Sequence, residues 1–572
     1  MGFFRRFQKQ LNMEDPQQLQ QECRWLWTRV KKYRMSVLMV LIFTVFGTCM
    51  SLASSVASKY LIDVVVGSGA QQIGVAAAVM VALALGSLLL QALSSRTSAR
   101  IHVRVRNRMQ YKTYGRILRA TWENLDTFRS GDLLSLLNSD INTVADGIIG
   151  FVPNLLGAGL RFVGAFCIIA WFDPVMALIA LAGAPATLLA SHVLMKRLRR
   201  YSLAMKQLGD EVMSFQEDSL RNMTSIKAFA AVDRYRQEMG KVQDHYAEAY
   251  LSLNSFRINM STLLSLVGMS VTAACFGWGA YQLWQGRITY GSLTMFLQLA
   301  GVLRSAFSSL VSLAQQGISM TTSAGRIMAV EDLPREEDQV DPTLAQESGV
   351  DIHLQQVAFH YQNGETVLLP SDFYAAAGDQ VAVMGPSGEG KTTLLRILLG
   401  LVAPCGGKAE LIGSSGKHYS VNPGTRGVFA YVPQENSIFT GTIAHNLRIV
   451  APEATESEME QALKVACAWE FVEQFPEGLN HPLSAGGRGI SEGQAQRLAI
   501  ARALLQKAPV LLLDEATSGL DVATERRLME NLRRSGLVRT CILVTHRPGS
   551  AQFCNRAYEI NDGQIHEVFY GA

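Results

Sequence analysis

Residues 385–392 read Gly385-Pro386-Ser387-Gly388-Glu389-Gly390-Lys391-Thr392, and Thr393 follows. A short apolar run precedes them, and apolar residues spaced for one face of a helix come after them. A phosphate-binding loop needs this setting of strand, glycine loop and helix, because glycines let backbone N–H groups crowd around phosphate oxygens. We expect all nine residues to bind a nucleotide, with Lys391 on the terminal phosphates and the Thr392 hydroxyl on Mg²⁺.

A second motif lies about 120 residues further on and reads Val510-Leu511-Leu512-Leu513-Asp514-Glu515. It predicts a buried strand that ends in two carboxylates. Asp514 is placed to hold Mg²⁺, directly or through water, and Glu515 to polarise an attacking water. The alternative is an ordinary strand with a charged end, and the phosphate-binding loop in the same half of the chain argues against it.

The composition divides the chain into two kinds of region. At 572 residues it is too long for one domain, and only 17% of its residues are charged. Its mean hydropathy of +0.14 is high for a soluble protein and fits a chain that is half embedded in a membrane. The net charge of +4 is small and predicts no nucleic-acid partner. The eight cysteines include no Cys-x-x-Cys pair, so we interpret them as reduced structural thiols.

The first half contains six apolar segments, each long enough to cross a bilayer at about 20 residues. They are Met35–Ala57, Gly74–Leu93, Gly147–Phe172, Val175–Met195, Ser261–Leu283 and Ser292–Leu313. Residues 1–34 precede them and interleave tryptophans with cations, which is typical of a segment lying at the membrane surface. We therefore predict a membrane domain over residues 35–325 in contact with lipid.

The links between these segments differ in length and charge. The two long links, after the second and the fourth segment, carry clusters of Arg and Lys, whereas the short links carry almost none. By the positive-inside rule the N-terminus and both long links are cytoplasmic. Their helix-like patterning predicts long cytoplasmic helical extensions. Within them, residues 123–133 around Phe128 and 209–217 around Phe215 are predicted to form turns that press into a soluble domain.

After Arg326 the composition becomes acidic and proline-bearing, which predicts a linker over residues 326–350. Residues 351–572 alternate strand and helix patterns and predict an α/β domain. The predicted fold is thus multidomain: an all-α domain of six membrane helices with long cytoplasmic extensions, followed by an α/β ATPase domain that contains the phosphate-binding loop.

The segment before the second motif carries a resemblance to a known family. It contains Ile490-Ser491-Glu492-Gly493-Gln494, which resembles the Leu-Ser-Gly-Gly-Gln signature of ABC transporters. The resemblance implies that Ser491, Gly493 and Gln494 belong to the ATP site, with the serine and the glycine on the γ-phosphate. Glu492 departs from the family pattern, which has glycine there.

Other positions match the family in order. The resemblance implies that Tyr361 stacks on adenine, that Gln434 touches Mg²⁺ and water, and that His546 contacts the γ-phosphate. Glu515, His546 and Gln434 are thus the implied catalytic residues, and Thr392, Gln434 and Asp514 the implied Mg²⁺ ligands. Without the resemblance, Tyr361 reads as a strand tyrosine that packs on its neighbour.

The order of six spans and one nucleotide domain is similar to that of a half-size ABC exporter. This resemblance implies an ATPase coupled to transport, a dimer with itself or a related half-transporter, and alternating access. The cargo is expected to be a hydrophobic, amphipathic or anionic small molecule, lipid or peptide. Alternatives are an importer with the exporter fold for siderophore-like cargo, and a nucleotide-gated channel or sensor. The half-size form without a targeting extension predicts a bacterial inner membrane, with the ATPase domain in the cytoplasm.

Four polar residues within the spans are candidates for the cargo path: Asn154, Arg161, Gln298 and Arg304. Arginine in a membrane costs roughly 2.5 to 3.5 kcal/mol on insertion scales, so it usually faces a cavity or a partner. We expect Arg161 and Arg304 to line the path and to favour anionic or amphipathic cargo. The alternative is that Arg304 lies near a helix end, or that each arginine pairs with a backbone carbonyl.

Overall fold

The computed structural model describes residues 16–67, 70–128, 130–181, 200–201, 204–205, 207–336, 344, 347, 349–361, 364–434, 437–484, 489–536 and 540–569. It has two compact units. The first comprises the chain up to Arg119 together with Thr127–Leu333, and the second comprises Ala120–Asp126 together with the chain from Pro334 onward.

The first unit is helical. Its helices are α1 (Pro16–Lys32), α2 (Arg34–Val66), α3 (Ala70–Leu118), α5 (Ser130–Ser135), α6 (Ile141–Phe172), α7 (Pro174–Leu181), α8 (Met223–Ala228), α9 (Val232–Trp284) and α10 (Tyr290–Glu331), and the short α4 (Trp122–Leu125) belongs to the second unit. A single π-helical turn, Leu136–Asp140, joins α5 to α6.

Five helices within the described residues are long and apolar enough to cross a membrane. They are Arg34–Val66, Gln72–Leu118, Ser130–Phe172, Val232–Trp284 and Tyr290–Leu310. They contain four of the six predicted spans, and a fifth, Ser292–Leu313, lies within the full length of α10. Of the other, Val175–Met195, only the part up to Leu181 is described, and that part is helical. The prediction of a helical membrane domain is confirmed.

Two of these helices are far longer than a bilayer requires. Helix α3 has 49 residues and α9 has 53. At 1.5 Å per residue they extend about 75 and 80 Å, against a hydrocarbon core of about 30 Å. The extensions predicted from the patterning of the long links are therefore present, and they continue the membrane helices without a break.

The far turn of the second long link does not lie at 209–217, where it was predicted. The chain is helical from 207 to 221 and passes through Phe215, whose ring packs on Tyr235 with centroids 6.0 Å apart. The helix breaks instead at Asn222, and again at Phe229 and Ala230, where the backbone has a φ of 50°. The prediction for 209–217 is wrong because the helix continues through these residues, Gly209 included, whereas asparagine at 222 favours a turn.

The linker also starts later than the predicted residue 326. Helix α10 continues to Glu331, and polar contacts hold its last turns. The buried Asp140 carboxylate lies 3.2 Å from Arg326 and accepts a hydrogen bond from Ser323. Trp25 and Arg29 of α1 donate hydrogen bonds to Glu331. The acidic residue that suggested a linker is therefore an acceptor at the helix end.

In the part of the second unit that the structure describes there are three sheets. Its strands are β1 (Val350–His360), β2 (Thr366–Ala375), β3 (Gln380–Met384), β4 (Gly406–Gly413), β5 (His418–Ser420), β6 (Phe429–Val432), β7 (Gly441–Thr442), β8 (Pro482–Leu483), β9 (Val510–Asp514), β10 (Thr540–Val544), β11 (Arg556–Asn561) and β12 (Gln564–Val568). Its helices after α4 are α11 (Lys391–Leu398), α12 (Ile443–Arg448), α13 (Glu456–Val465), α14 (Trp469–Val472), α15 (Glu492–Leu505), α16 (Val522–Ser535) and α17 (Pro548–Ala551).

The six-stranded sheet positions the site. Its order is β12-β11-β3-β10-β9-β6, and every neighbouring pair except β11–β12 is parallel. Strands β9 and β10 are buried along their whole length, which explains their continuous apolar runs. In an open parallel sheet, the loops at the carboxyl ends of the strands meet at one edge. Here those loops follow β3, β10, β9 and β6.

Candidate nucleotide site

The loop after β3 has the backbone that a phosphate-binding loop needs. Gly385 has a φ of 140° and Gly390 has a φ of 107°, a region that disfavours side chains. A Cβ at Gly385 would overlap the carbonyl oxygen of Ile560, and one at Gly390 would lie 2.9 Å from Leu368. Helix α11 begins at Lys391, directly after these glycines, so its free N–H groups face the loop.

Lys391 closes this loop on itself. Its side chain is buried, and Nζ donates to the carbonyl oxygens of Gly385 at 2.9 Å and Pro386 at 2.7 Å. Burial lowers the pKa of Lys391, while the carboxylates of Glu515 and Asp514 oppose this effect. The ammonium group is thus held by neutral carbonyls at the loop, from which it can turn to a phosphate.

Asp514 is placed as a Mg²⁺ ligand should be. It ends β9 with 1% exposure, and Oδ2 accepts a hydrogen bond from Tyr431 at 3.2 Å. Oδ1 is buried and has no hydrogen-bond partner among the described residues. Burial raises the pKa of Asp514, against the opposing effect of the Tyr431 and Thr392 hydroxyls. A buried carboxylate oxygen without a donor, beside a threonine hydroxyl, fits a divalent cation.

Three predicted catalytic residues meet at Glu515. Its Oε1 lies 2.6 Å from Nε2 of His546, and its Oε2 accepts a hydrogen bond from Gln434 at 2.8 Å. The three residues follow β9, β10 and β6, which are adjacent strands. Glu515 itself has a φ of 50°, so the chain bends sharply as it leaves β9. The carboxylate is thus oriented from both sides, which suits a group that polarises water.

Tyr361 lies directly after β1 and contacts α11. Its hydroxyl accepts a hydrogen bond from Arg396 at 2.8 Å and lies 3.2 Å from the Thr393 hydroxyl. Its ring meets Phe359 edge-on, with centroids 4.9 Å apart. The neighbour packing that was the alternative interpretation of Tyr361 is therefore present, and the half-buried ring is tied to the helix that starts at the phosphate-binding loop.

The signature segment forms the start of α15. Ser491 is its N-cap and accepts a hydrogen bond from the Gln494 backbone, while the Gln494 side chain accepts one from the Ser491 backbone. Gly493 is packed so closely that a Cβ there would lie 2.7 Å from the carbonyl oxygen of Gly519. Glu492 is exposed in the first turn, where a carboxylate favours the helix.

The four candidate cargo residues have different neighbours. Gln298 donates to the Ser58 hydroxyl of α2 at 3.3 Å, whereas a Cβ at Gly268 of α9 would meet the Arg304 stem at 2.7 Å. Arg161 has a buried Nε without a partner among the described residues, and Asn154 is exposed. The contacts do not place these residues in one cluster, so the cargo path stays a prediction.

Sequence reasoning missed three residues at the nucleotide site. Tyr431 supports Asp514, Arg396 holds Tyr361, and Trp122 lies against Arg396. Tyr431 stands three residues before Gln434 on the same strand-to-loop segment, which was the available signal. Arg396 and Trp122 carry no motif, and only their packing reveals them.

Comparisons with known proteins agree with this arrangement. Residues 37–307 match the family model described as "ABC transporter transmembrane region", and residues 368–518 match the family model described as "ABC transporter". The chain is 28% identical over 450 residues to an uncharacterized ABC transporter ATP-binding protein, YfiC, of Bacillus subtilis, covering 77% of this chain and 73% of that protein. It is also 28% identical over 466 residues to an ATP-dependent lipid A-core flippase of Xanthomonas oryzae pv. oryzae, covering 80% and 78%.

Among solved structures, a bacterial Atm1-family ABC exporter with ATP bound superposes with a TM-score of 0.82. It shares 21% identity and covers 94% of this chain and 95% of its own, so it shows the fold. Because a transmembrane region and an ATPase region of this family follow each other in one chain, this protein belongs to the ABC transporters.

Proposed function

We propose that this protein is an ATP-driven exporter that hydrolyses ATP to move cargo across a bacterial inner membrane by alternating access. The observation that carries the proposal is the arrangement at Glu515, which Gln434 and His546 contact from opposite sides. A protein in which nucleotide only regulated a channel would not need an oriented carboxylate beside a buried Mg²⁺ ligand. The contact of Gln434 and His546 with Glu515 therefore favours ATP hydrolysis over the alternative in which ATP only gates a channel.

The roles follow from the geometry of the chain's own groups. Gly385–Thr393 hold the phosphates through backbone N–H groups and the Lys391 ammonium. Thr392, Asp514 and Gln434 would hold Mg²⁺, which when bound neutralises phosphate charge. Glu515 accepts a proton from the attacking water, while His546 and Gln434 fix its orientation. Tyr361 provides a ring for the adenine.

A second half-transporter completes the site in this proposal. One chain carries one phosphate-binding loop and one signature segment, and Ser491 and Gln494 bond to each other rather than to the loop. Two chains, identical or related, would each present α15 to the nucleotide of the other. The half-size exporter fold supports such a dimer. Closure around nucleotide would favour one membrane-domain state over the other.

For the cargo we propose a chemical class, not a single compound. A relative 28% identical to this chain over 466 residues is named an ATP-dependent lipid A-core flippase. Arg161, with its unpartnered buried Nε among the described residues, is the group in the spans best suited to an anion. An amphipathic or anionic lipid-like molecule is therefore the cargo class to test first.

The proposal is tested with purified full-length protein in sealed vesicles. ATP outside, where the ATPase domain faces, should drive fluorescent anionic lipid from one leaflet to the other, and Lys391→Ala should stop this movement. The control is Lys464→Ala, which changes an exposed lysine of the same unit. Undiminished flux in Lys391→Ala, or movement in the direction of import, would overturn the proposed function.

A further inference from the structure

A stretch of the first long link lies within the second compact unit. Ala120 forms an antiparallel bridge with Arg335, and the Thr121 backbone donates to the carbonyl oxygen of Pro334 at 3.1 Å. Trp122 then begins α4 and packs against the apolar core around β1 and α11. Trp122 thus makes an aromatic contact with this core, and the contact of the turn around Phe128 with a soluble domain stays a prediction.

Trp122 stacks on an arginine that reaches the nucleotide site. The Arg396 guanidinium carbon lies 4.3 Å from the centre of the Trp122 ring, within the range of a cation–π contact. From the same guanidinium, Nη1 donates to the Tyr361 hydroxyl at 2.8 Å. A planar guanidinium can stack on a ring and donate in its own plane at the same time, which an ammonium cannot do.

Among the described residues, Arg396 makes the shorter of the two polar contacts of the Tyr361 hydroxyl. The hydroxyl lies 3.2 Å from Thr393, and the Tyr361 ring touches Phe359 at the ring edge. The backbone on its far side turns at Gly364, whose N–H donates to the Tyr361 carbonyl. The ring also packs against the core around β1 and α11, so Arg396 fixes the hydroxyl end of the ring, and Arg396 in turn is held by Trp122.

We propose that Arg396 is a positioning residue that connects the adenine-binding ring of Tyr361 to Trp122 of the first long link. This inference rests on the proposed function, in which Tyr361 binds adenine. Helix α3 ends at Leu118, four residues before Trp122, so a shift of that helix end is passed along the backbone to the indole ring. Displacing the indole loosens Arg396, and with it Tyr361. Base binding then responds to the membrane helix, while phosphate binding does not.

The test uses full-length protein and two probes, a non-hydrolysable ATP analogue and inorganic triphosphate, both measured by calorimetry. Trp122→Ala and Arg396→Gln should each lower the affinity for the analogue about fivefold and leave the affinity for triphosphate unchanged. Trp122→Phe keeps an aromatic face and should restore most of the affinity. Arg396→Lys keeps the positive charge without the planar guanidinium, so its affinity for the analogue should lie between that of Arg396→Gln and that of the unchanged protein. The matched control is Trp469→Ala, which removes a cation–π contact to Lys464 in the same unit and should change neither probe.

A double variant separates positioning from general damage. In Tyr361→Ala the ring is gone, so adding Trp122→Ala should weaken the analogue no further. Equal loss of both probes in Trp122→Ala, or losses that multiply in the double variant, would overturn the inference. Lys391→Ala checks the site itself. If it binds both probes normally, the proposed function fails. If it loses both while Trp122→Ala behaves like Trp469→Ala, only the role of Arg396 and Trp122 is refuted.

Discussion

Nε2 of His546 lies 2.6 Å from Oε1 of Glu515, although the two residues leave different strands. The contact exists because β10 lies beside β9 in parallel, with Val544 paired to Asp514. The residue after β9 and the second residue after β10 are therefore brought to the same edge. Because Gln434 donates a hydrogen bond to the other carboxylate oxygen, the Glu515 side chain has little freedom to turn away from the phosphate-binding loop.

We predict that Glu515→Gln abolishes hydrolysis and keeps ATP binding. The amide has the same shape but cannot accept the proton of water, so kcat should fall about 100-fold or more. Phosphate release reports kcat, and calorimetry reports binding. Glu477→Gln, at an exposed position outside the site, is the control. Hydrolysis at the wild-type rate in Glu515→Gln would assign the base to another residue.

Asp514 should make the Mg²⁺ requirement depend on pH. Burial raises the pKa of this acid, so it stays protonated to a higher pH than an exposed aspartate. The cation prefers the ionised carboxylate, so acidification from pH 7.5 to 5.5 should raise the Mg²⁺ concentration needed for half-maximal ATPase activity. Asp514→Asn should need more Mg²⁺ at both pH values, and its requirement should change less with pH, because only the protonation of ATP itself then contributes. A change with pH as large in Asp514→Asn as in the wild type would place its origin elsewhere.

Gly493 should not tolerate a methyl group. In Gly493→Ala the new Cβ would lie 2.7 Å from the Gly519 carbonyl oxygen, so the loop after β9 must move. We expect a loss of about 1 to 3 kcal/mol of stability and a fall in ATPase activity. Gly427→Ala is the matched control, because nothing lies within 4 Å of its Cβ. Equal melting temperatures for the two variants would contradict the close approach.

Glu492 should weaken the half-site that this chain presents to a partner. Its carboxylate stands in the first turn of α15, where it stabilises the helix but opposes an incoming phosphate. Glu492→Gln should strengthen ATP-dependent dimerisation, measured by light scattering, and cost about 0.3 to 1 kcal/mol of helix stability. The exposed Glu453→Gln serves for comparison. Unchanged dimerisation would mean that the carboxylate points away from the bound nucleotide.

Phe229, rather than Phe215, should carry the contact of the second long link with an ATPase domain. Phe229 is 81% exposed at the turn, whereas Phe215 packs on Tyr235. Phe229→Ser should leave the melting temperature unchanged and reduce cargo-stimulated ATPase activity. Phe215→Ala should instead lower the melting temperature, since an aromatic pair contributes about 0.5 to 1.5 kcal/mol. The reverse outcome would assign the contact with an ATPase domain to the segment around Phe215.

The nucleotide site could be predicted because its parts are continuous in sequence. Residues 385–393 form one loop, and Asp514 with Glu515 ends one apolar strand, so local pattern predicts both. The meeting of Gln434, Glu515 and His546 depends on strand order, which local pattern does not contain; there the family resemblance supplied the expectation. Their functional roles stay predictions.

Other features could not be predicted because they depend on packing. Trp122 carries no motif, and only its contact with the core around β1 and α11 reveals it. Glu331 looks like linker sequence until Trp25 and Arg29, about 300 residues earlier, donate to it. Contacts between residues so distant in the chain leave no periodic signal in either segment.

The uninterrupted length of α9, Val232–Trp284, has a mechanical consequence. A rod of about 80 Å amplifies rotation: a tilt of only about 5° at one end sweeps the other through about 7 Å. Small adjustments next to the bilayer would therefore appear as displacements of more than a helical turn at the tip beside Phe229. A single spin label at that tip would register movements too slight to see within the membrane.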